Sequence, residues 1–318
     1  MENEVNLNGQ AVPWERAAIE KLLFAELRER RAVRRWRLLR SLIWMGLVGA
    51  LVWVLASEQL PSATPSSAHT AMVAIKGEIS DAGEGSAEYI LPALRSAMQD
   101  KGAQALVLLI NSPGGSPVQA GLIHDEIRRL RALHDKPVYA VVEESCASAA
   151  YYIAAGADRI YVDKASLVGS IGVLINGFGF TGTLDKLGVE RRLLTAGENK
   201  GFLDPFSPQS DAQRAHAQRM LDQIHQQFIG VVRQGRGERL KETPEMFSGL
   251  FWTGEQAVQL GLADGLGSLD MVAREVVKAE KLVDYTNKEN IAERFAKRLG
   301  ASVGQGAMAA LRGGAGWR

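Results

Sequence analysis

The 318-residue sequence contains a single cysteine, Cys146. One cysteine excludes an intrachain disulfide framework and any zinc or iron–sulfur site built from several cysteines. The histidines never take an HExxH or similar ligand spacing, so we expect them at the surface or on helix faces. They are His69, His124, His134, His216 and His225. The sequence therefore predicts neither a metal nor another cofactor.

An excess of charge of either sign is also lacking. The chain has 37 Lys+Arg against 36 Asp+Glu, a formal net charge of +1. This balance gives no global field that would favour nucleic acid or acidic ligands. With 46% hydrophobic residues the chain can bury one large core or two modest ones. A domain of that size does not need disulfides, so a location outside the cytoplasm stays open.

A charge-free stretch at residues 41–57 follows an arginine-rich segment, residues 1–40. As a helix it would span roughly 25 Å, which is near the short end for a bilayer. The alternative is a cleavable signal peptide, but forty preceding residues are too many and no clear A-x-A site follows. We expect an uncleaved single-pass anchor. The positive-inside rule then keeps residues 1–40 in the cytoplasm and exports everything beyond residue 57.

The rest of the chain divides into three parts. Residues 58–70 have the Pro/Ser composition of a linker, residues 71–285 form the predicted folded domain, and residues 286–318 are predicted to be a flexible tail. Within the domain, apolar runs alternate with helical spacing, and a helical half follows from Pro208. This order predicts an α/β fold with a mostly parallel sheet. Strands are predicted at 71–77, 104–110, 137–144, 159–163 and 166–175, and helices at 87–100, 118–135, 148–157, 208–233, 253–261 and 268–282.

The first candidate for chemistry is the loop Asn111–Ser116, which follows a predicted buried strand and leads into a helix. Its adjacent glycines, Gly114 and Gly115, allow backbone N–H groups to face a cavity. Free N–H groups at a helix N-terminus stabilise an oxyanion of the kind formed in acyl transfer. An ordinary strand-to-helix turn explains the motif equally well.

The second candidate is Ser148, within a run of small residues at the start of an apolar helix. A nucleophile at that point meets the helix dipole and the N–H of the next residue. The surrounding sequence is not the G-x-S-x-G elbow of α/β hydrolases. Taken alone, Ser148 fits a helix N-cap or a small packing residue better.

The third candidate is Lys200, in a glycine-flanked and partly apolar loop. A lysine that is desolvated beside a serine loses its proton more readily and becomes a usable base. Most loop lysines are simply solvated. Three rivals, Lys76, Lys164 and Lys186, are not distinguished from it by composition.

A G-x-G-x-x-G match runs from Gly177 to Gly182. Taken literally, it would bind a dinucleotide. It lies late in the sheet region, and no strand ending in an acidic residue follows about twenty positions on. We therefore do not expect a dinucleotide site.

Together with the anchor, five motifs in this order resemble the bacterial signal peptide peptidase A family in its short form. This is a family of serine/lysine proteases of the Clp/crotonase fold. The resemblance covers about residues 71–283. The motifs are NSPGGS, SCASAAYYIA, GSIGV, ENKGFLDPFSP and FWTGEQAVQLGLADGLGSLD.

The resemblance implies roles for individual residues. Ser148 would be the nucleophile, Lys200 its general base, and Ser170 the residue that orients the lysine. The oxyanion donors would be the N–H of Gly114 or Gly115 and that of Ala149. The chain departs from the family pattern at Cys146 and at Ala149-Ala150, where relatives often have Met, Ala or Gly. In each case one small residue replaces another, so we expect activity to survive these changes.

The resemblance also implies the setting. It predicts a ring-shaped homo-oligomer on the bacterial inner membrane, with the N-terminus cytoplasmic, the catalytic domain periplasmic, and sites that use parts of neighbouring subunits. The expected substrates are signal peptides and other extended apolar peptides. Three alternatives stay open: a related protease acting on membrane-protein partners, an inactive membrane scaffold of the same fold, and a crotonase-type acyl-CoA enzyme. The exported side counts against the last, because CoA chemistry is cytoplasmic.

Overall fold

The computed structural model describes residues 35–50 and 67–287. The chain divides into two compact units, Met1–Ala63 and Thr64–Arg318. In the first unit, residues 35–50 are helical and exposed. Among the described residues there is no helix whose length and apolar character would let it cross a membrane. Residues 51–57 of the predicted anchor, and the predicted tail from residue 288 onward, lie outside the described residues.

Eight strands of the described chain form one sheet in the second unit. The strands are β1 His69–Lys76, β2 Ala103–Ser112, β3 Val138–Ala147, β4 Arg159–Val162, β5 Leu167–Gly169, β6 Phe251–Thr253, β7 Gly265–Leu266 and β8 Leu282–Asp284. The main path of the sheet runs β6-β5-β3-β2-β1-β8, and β4 and β7 continue from β3. All pairs are parallel except β5 with β6, so the predicted α/β fold with a mostly parallel sheet is confirmed.

Helices cover both faces of this sheet, which is why β2 reads as a nearly continuous apolar run. The helices are α1 Ala87–Gln99, α2 Pro117–Leu133, α3 Ala149–Ala154, α4 Thr181–Lys186, α5 Asp211–Arg236, α6 Gly254–Gln259 and α7 Leu269–Met271, which continues as a π-helix over Val272–Val277. The main core lies between the sheet and helices α1, α2, α3 and α5. A smaller cluster on the opposite face joins β2 and β3 to Val272.

Two predicted elements end earlier than the sequence pattern indicates. The strand predicted at 166–175 ends at Gly169, because Ser170 turns the backbone into a positive-φ conformation of 50°. The helix predicted at 268–282 ends at Val277, where Lys278 takes a left-handed cap conformation. The chain then forms β8, an unpredicted strand that pairs with β1.

The first strand of the domain, β1, forms hydrogen bonds with residues near the C-terminal end of the domain. His69 is 0% exposed, so its predicted place at the surface or on a helix face is wrong. Its Nε2 lies 3.2 Å from the Tyr285 hydroxyl, which donates to the Asp100 carboxylate. Burial by itself would raise the pKa of Asp100, but the pKa is lowered overall, and the hydrogen bond from Tyr285 contributes to that lowering. β1 begins two residues before the predicted domain boundary at residue 71.

A buried ion pair joins α5 to the sheet. The Arg236 side chain is 0% exposed, and its Nη1 donates to Asp264 Oδ2 over 2.8 Å. The same oxygen accepts the N–H of Ile160 at the start of β4. Burial favours a higher pKa for Asp264, yet the arginine contact outweighs it and the pKa is lowered. This pair fixes the C-terminal end of the helix that forms one wall of the cleft described next.

Candidate active site

Ser148 stands at the junction of β3 and α3 in a strained conformation. Its φ of 52° and ψ of −122° are rare for a residue with a side chain. Its N–H donates to Gly169 O over 2.8 Å, and its carbonyl accepts the N–H of Tyr152 over 3.0 Å. These bonds hold the backbone in place, and the serine side chain lines a cleft. Strain of this kind is concentrated at functional sites.

The glycine loop meets Ser148 closely. A Cβ at Gly114, whose φ is 105°, would lie 2.7 Å from Ser148 Cβ and 3.1 Å from Ala149 N. Ala149 is the first residue of α3, so its N–H has no acceptor within the helix. Gly114 donates its own N–H to Ser112 Oγ over 3.2 Å. Gly115 lines the cleft beside Ser148, which makes its N–H the better partner for Ala149 in an oxyanion hole.

The cleft beside Ser148 has a volume of about 750 Å³. No charged side chain is found among the described residues that line it. One wall is a face of α5 with Met220, Ile224 and Phe228, and the opposite side is the loop that follows Ser170. Such a site suits an extended segment with apolar side chains.

Ser170 lies in the same cleft as Ser148. Its φ is 50°, its N–H donates to Leu250 O over 2.8 Å, and its carbonyl accepts the N–H of Gly172 over 2.9 Å. The structure thus brings together the predicted nucleophile, the predicted oxyanion donors and the predicted orienting serine.

The predicted base is placed differently. Lys200 is exposed in a turn, where its N–H donates to Gly197 O over 3.1 Å. Neither Lys200 nor its rivals Lys76, Lys164 and Lys186 is among the described residues that line the cleft. Lys76 pairs with Glu143 over 2.9 Å. The described structure therefore leaves Lys200 outside the cleft that contains Ser148.

Lys200 belongs to a segment, residues 173–207, that exposes many large apolar side chains. Phe178 is 75% exposed and Leu194 is 97% exposed. Large exposed apolar patches are a feature of interaction surfaces. Others in the segment are Leu174, Ile175, Phe180, Leu187, Val189, Leu193, Leu203 and Phe206.

The G-x-G-x-x-G match falls in this exposed segment. In the described structure no strand leads directly into Gly177, whereas a dinucleotide fingerprint needs a strand, a tight turn and a helix. A Cβ at Gly177, Gly179 or Gly182 would meet only open space. Among the described residues, no three His, Cys, Asp or Glu side chains are grouped as a metal site needs.

The sequence model of peptidase family S49 matches residues 131–284, a range that holds Ser148, Ser170 and Lys200. Residues 131–284 are therefore a peptidase family S49 domain by sequence. The family match begins beyond the glycine loop, so it does not include Gly114 and Gly115.

Curated relatives of this S49 chain carry several names. A putative signal peptide peptidase SppA of Enterococcus faecium is 31% identical over 67% of this chain and 64% of its own length. Protease 4 of Haemophilus influenzae is 30% identical over 67% of this chain and 35% of that protein. A Brucella melitensis protein named Na(+)/H(+) antiporter NhaA is 49% identical over 55% of this chain and 24% of its own length. The chain thus spans from about a quarter to under two thirds of these relatives.

Sequence reasoning missed the wall that α5 adds to the S49 site. Met220, Ile224 and Phe228 are four residues apart and therefore share one helix face. This four-residue spacing is the sequence signal that could have identified the cleft-lining face of α5. Phe228 also packs on Tyr152, with ring centroids 5.3 Å apart, and both side chains line the cleft.

Cys146 does not compete with Ser148 in this S49 site. The thiol is buried, and burial raises the pKa of Cys146 far above its ordinary value. A thiol that stays protonated is a poor nucleophile.

Proposed function

We propose that this protein is a serine endopeptidase that cleaves signal peptides and other extended apolar peptides. The observation that carries the proposal is the meeting of three features at one uncharged cleft. They are the strained Ser148, the N–H groups of Gly115 and Ala149, and the Ser170 side chain. The peptidase family S49 domain and the relatives named SppA and protease 4 support peptide hydrolysis as the reaction.

In the proposed mechanism a neutral Lys200 amine accepts the proton of Ser148 Oγ as that oxygen attacks the peptide carbonyl. The carbonyl oxygen becomes an oxyanion that the N–H groups of Gly115 and Ala149 stabilise. The C–N bond then breaks, and the leaving amine takes the proton from the lysine. Water, deprotonated by the same lysine, attacks the acyl-enzyme and releases Ser148 with its proton restored.

We further propose that the lysine comes from a neighbouring copy in a ring-shaped homo-oligomer. Lys200 is exposed and outside the cleft of its own chain, although the mechanism needs it beside Ser148. It lies in the exposed apolar segment 173–207, which contact with a second copy would bury. A heterologous contact of this kind closes into a ring when its rotation allows.

Anchoring and location are also proposals, supported by the sequence alone. Residues 41–57 carry no charge and follow an arginine-rich segment. An anchor there would hold the protein in a bacterial inner membrane with the N-terminus cytoplasmic and the catalytic domain periplasmic. An apolar cleft close to a membrane would meet the apolar cores of cleaved signal peptides.

The test is cleavage of a fluorogenic apolar peptide by the full chain in detergent. Ser148→Ala should abolish cleavage without changing the oligomer or the melting curve. Loss of cleavage with an intact fold supports a serine peptidase. If wild type and Ser148→Ala cut equally, the proposed nucleophile is wrong, and if neither cuts any apolar peptide, an inactive scaffold of the same fold is favoured.

A further inference from the structure

The turn that carries Ser170 is held by a small number of hydrogen bonds. Two of them join backbone groups: Ser170 N–H donates to Leu250 O, and Gly172 N–H donates to Ser170 O. A third reaches the carbonyl of Ile171, between these two residues, from the side chain of His225, whose Nε2 lies 3.1 Å away. Of these three bonds, only the third is made by a side chain, so only it can be removed by substitution.

His225 is placed to act on this turn from the cleft wall. It is half-buried on α5, between the cleft-lining residues Ile224 and Phe228. A carbonyl oxygen only accepts hydrogen bonds, so Nε2 must carry the hydrogen and Nδ1 is left as the acceptor in the neutral ring. The bond thus links the helix that forms one wall of the cleft to the turn on the opposite side.

The turn needs such support because its conformation is unfavourable for a residue with a side chain. Ser170 has a φ of 50°, and the N–H of Gly172 bonds back to the Ser170 carbonyl only two residues away. Ile171 is fully buried, which fixes its side chain while its carbonyl faces α5. Without a donor, that carbonyl would be left unsatisfied, and the peptide would rotate to find another partner. The same peptide group carries the Gly172 N–H that donates to Ser170 O, so its rotation disturbs the turn that sets the direction of the Ser170 hydroxyl.

We propose that His225 is a positioning residue for the peptidase reaction, because its Nε2–H holds the Ile171 carbonyl and so directs the Ser170 hydroxyl into the cleft. This inference rests on the proposed function, in which Ser170 orients the lysine base. His225 itself touches neither the reacting serine nor the substrate. Its effect should therefore appear in the rate of acylation and depend on Ser170.

The experiment compares His225→Leu, which cannot donate, with His225→Gln, whose amide can. Both are made in the full-length chain and assayed with the fluorogenic peptide. We expect His225→Leu to lower kcat roughly 10- to 100-fold while KM changes less than about twofold, as misplacement of a catalytic group does. His225→Gln should recover a large part of that loss. Gln226→Leu, at an exposed neighbouring position on α5, is the matched control and should leave both constants unchanged.

A double mutant cycle tests whether the effect passes through Ser170. In a Ser170→Ala background, His225→Leu should cause little further loss of kcat, because coupled residues are non-additive. Wild-type kcat in His225→Leu would overturn the proposal, as would an equal loss in both backgrounds or a failure of His225→Gln to recover. If His225→Leu does not fold, a loss of kcat in a folded His225→Gln variant would equally overturn it. Failure of the proposed function is seen separately, as cleavage that persists in Ser148→Ala.

Discussion

Gly114 lies with its α-carbon against Ser148, so that a Cβ at residue 114 would stand 2.7 Å from Ser148 Cβ and 2.7 Å from Ala147 O. Real side chains do not approach so closely, and the φ of 105° is also rare outside glycine. The glycine loop and the nucleophile are therefore in direct contact. The position of one determines the position of the other.

Gly114→Ala should sharply reduce peptidase activity, because the added methyl displaces either the loop or the serine. We expect kcat to fall by about 100-fold or more, the effect of losing an oxyanion donor. The matched control is Gly121→Ala in α2, where nothing lies within 4 Å of the added carbon. That substitution should leave activity intact and raise the free energy of unfolding by about 0.5–1 kcal/mol. Equal activity in both variants would contradict the close approach.

Replacement of Arg236 by alanine should be strongly destabilising. It leaves the Asp264 carboxylate partly buried with only the more exposed Arg239 as a charged partner, so we expect a loss of about 3 kcal/mol in the free energy of unfolding, the low end for breaking a buried pair. The control is Arg233→Ala on the same helix. It removes a half-exposed ion pair with Glu242 and should lower the free energy of unfolding by about 0–1 kcal/mol. Urea unfolding measures both. Similar losses for the two variants would show that burial of the Arg236 pair adds nothing to the free energy of unfolding beyond what an exposed pair contributes.

Acid should weaken the domain through Glu126. Hydrogen bonds from Arg129, opposed by burial and helped by Arg95, lower the pKa of Glu126 to about 2. A carboxyl whose folded pKa is lowered stabilises the fold above its unfolded pKa, and that contribution is lost as the pH falls from about 4.5 to about 2.

The measurement is the free energy of unfolding of Glu126→Gln and wild type across this pH range. Both arginines are about half exposed, so water screens the contact and we expect a difference of about 1–2 kcal/mol near neutral pH. The difference should shrink steadily below about pH 4. A difference that stays constant into acid would show that the ion pairs are not its cause.

Mixing two inactive variants tests the origin of the lysine. If Ser148 of one copy works with Lys200 of the next, rings assembled from equal amounts of Ser148→Ala and Lys200→Ala contain some intact sites. Random assembly in a ring gives about a quarter of wild-type activity. If both residues come from the same chain, the mixture is inactive at every ratio.

The control for this mixing experiment is assembly itself. The two variants should be unfolded and refolded together, and the mixed oligomers should match wild type in size. Two portions of the same inactive variant, treated in the same way, should show no cleavage.

Much of the fold was predictable because hydrophobic periodicity identifies long elements. The runs that became β2, β3 and α2 are long enough to show their period. The short strands β6, β7 and β8 were missed, since two or three residues show no period and pair through long-range contacts. The early ends at Ser170 and Lys278 depend on positive-φ conformations that the residue types do not indicate.

The candidate site was also predictable only in part. Ser148 and the glycine loop were proposed from motifs at strand ends, and parallel strands bring such ends together at one edge of a sheet. The role of Ser170 came from the family resemblance. The α5 wall and His225 come from a helix more than forty residues further along the chain than Ser170, and no local pattern relates them to that edge. Lys200 was chosen by resemblance, and the described structure leaves it exposed and outside the cleft.

The pairing of β8 with β1 affects how the protein is made. During synthesis the edge of β1 has no neighbour on that side until residues 282–284 leave the ribosome, because more than two hundred residues separate the partners. An open parallel edge attracts other unfinished chains. We therefore expect chains that end before residue 282 to associate through this edge more readily than longer ones. Contacts such as that of Thr70 with Ala279 cover this edge only after residues 279–284 have been made.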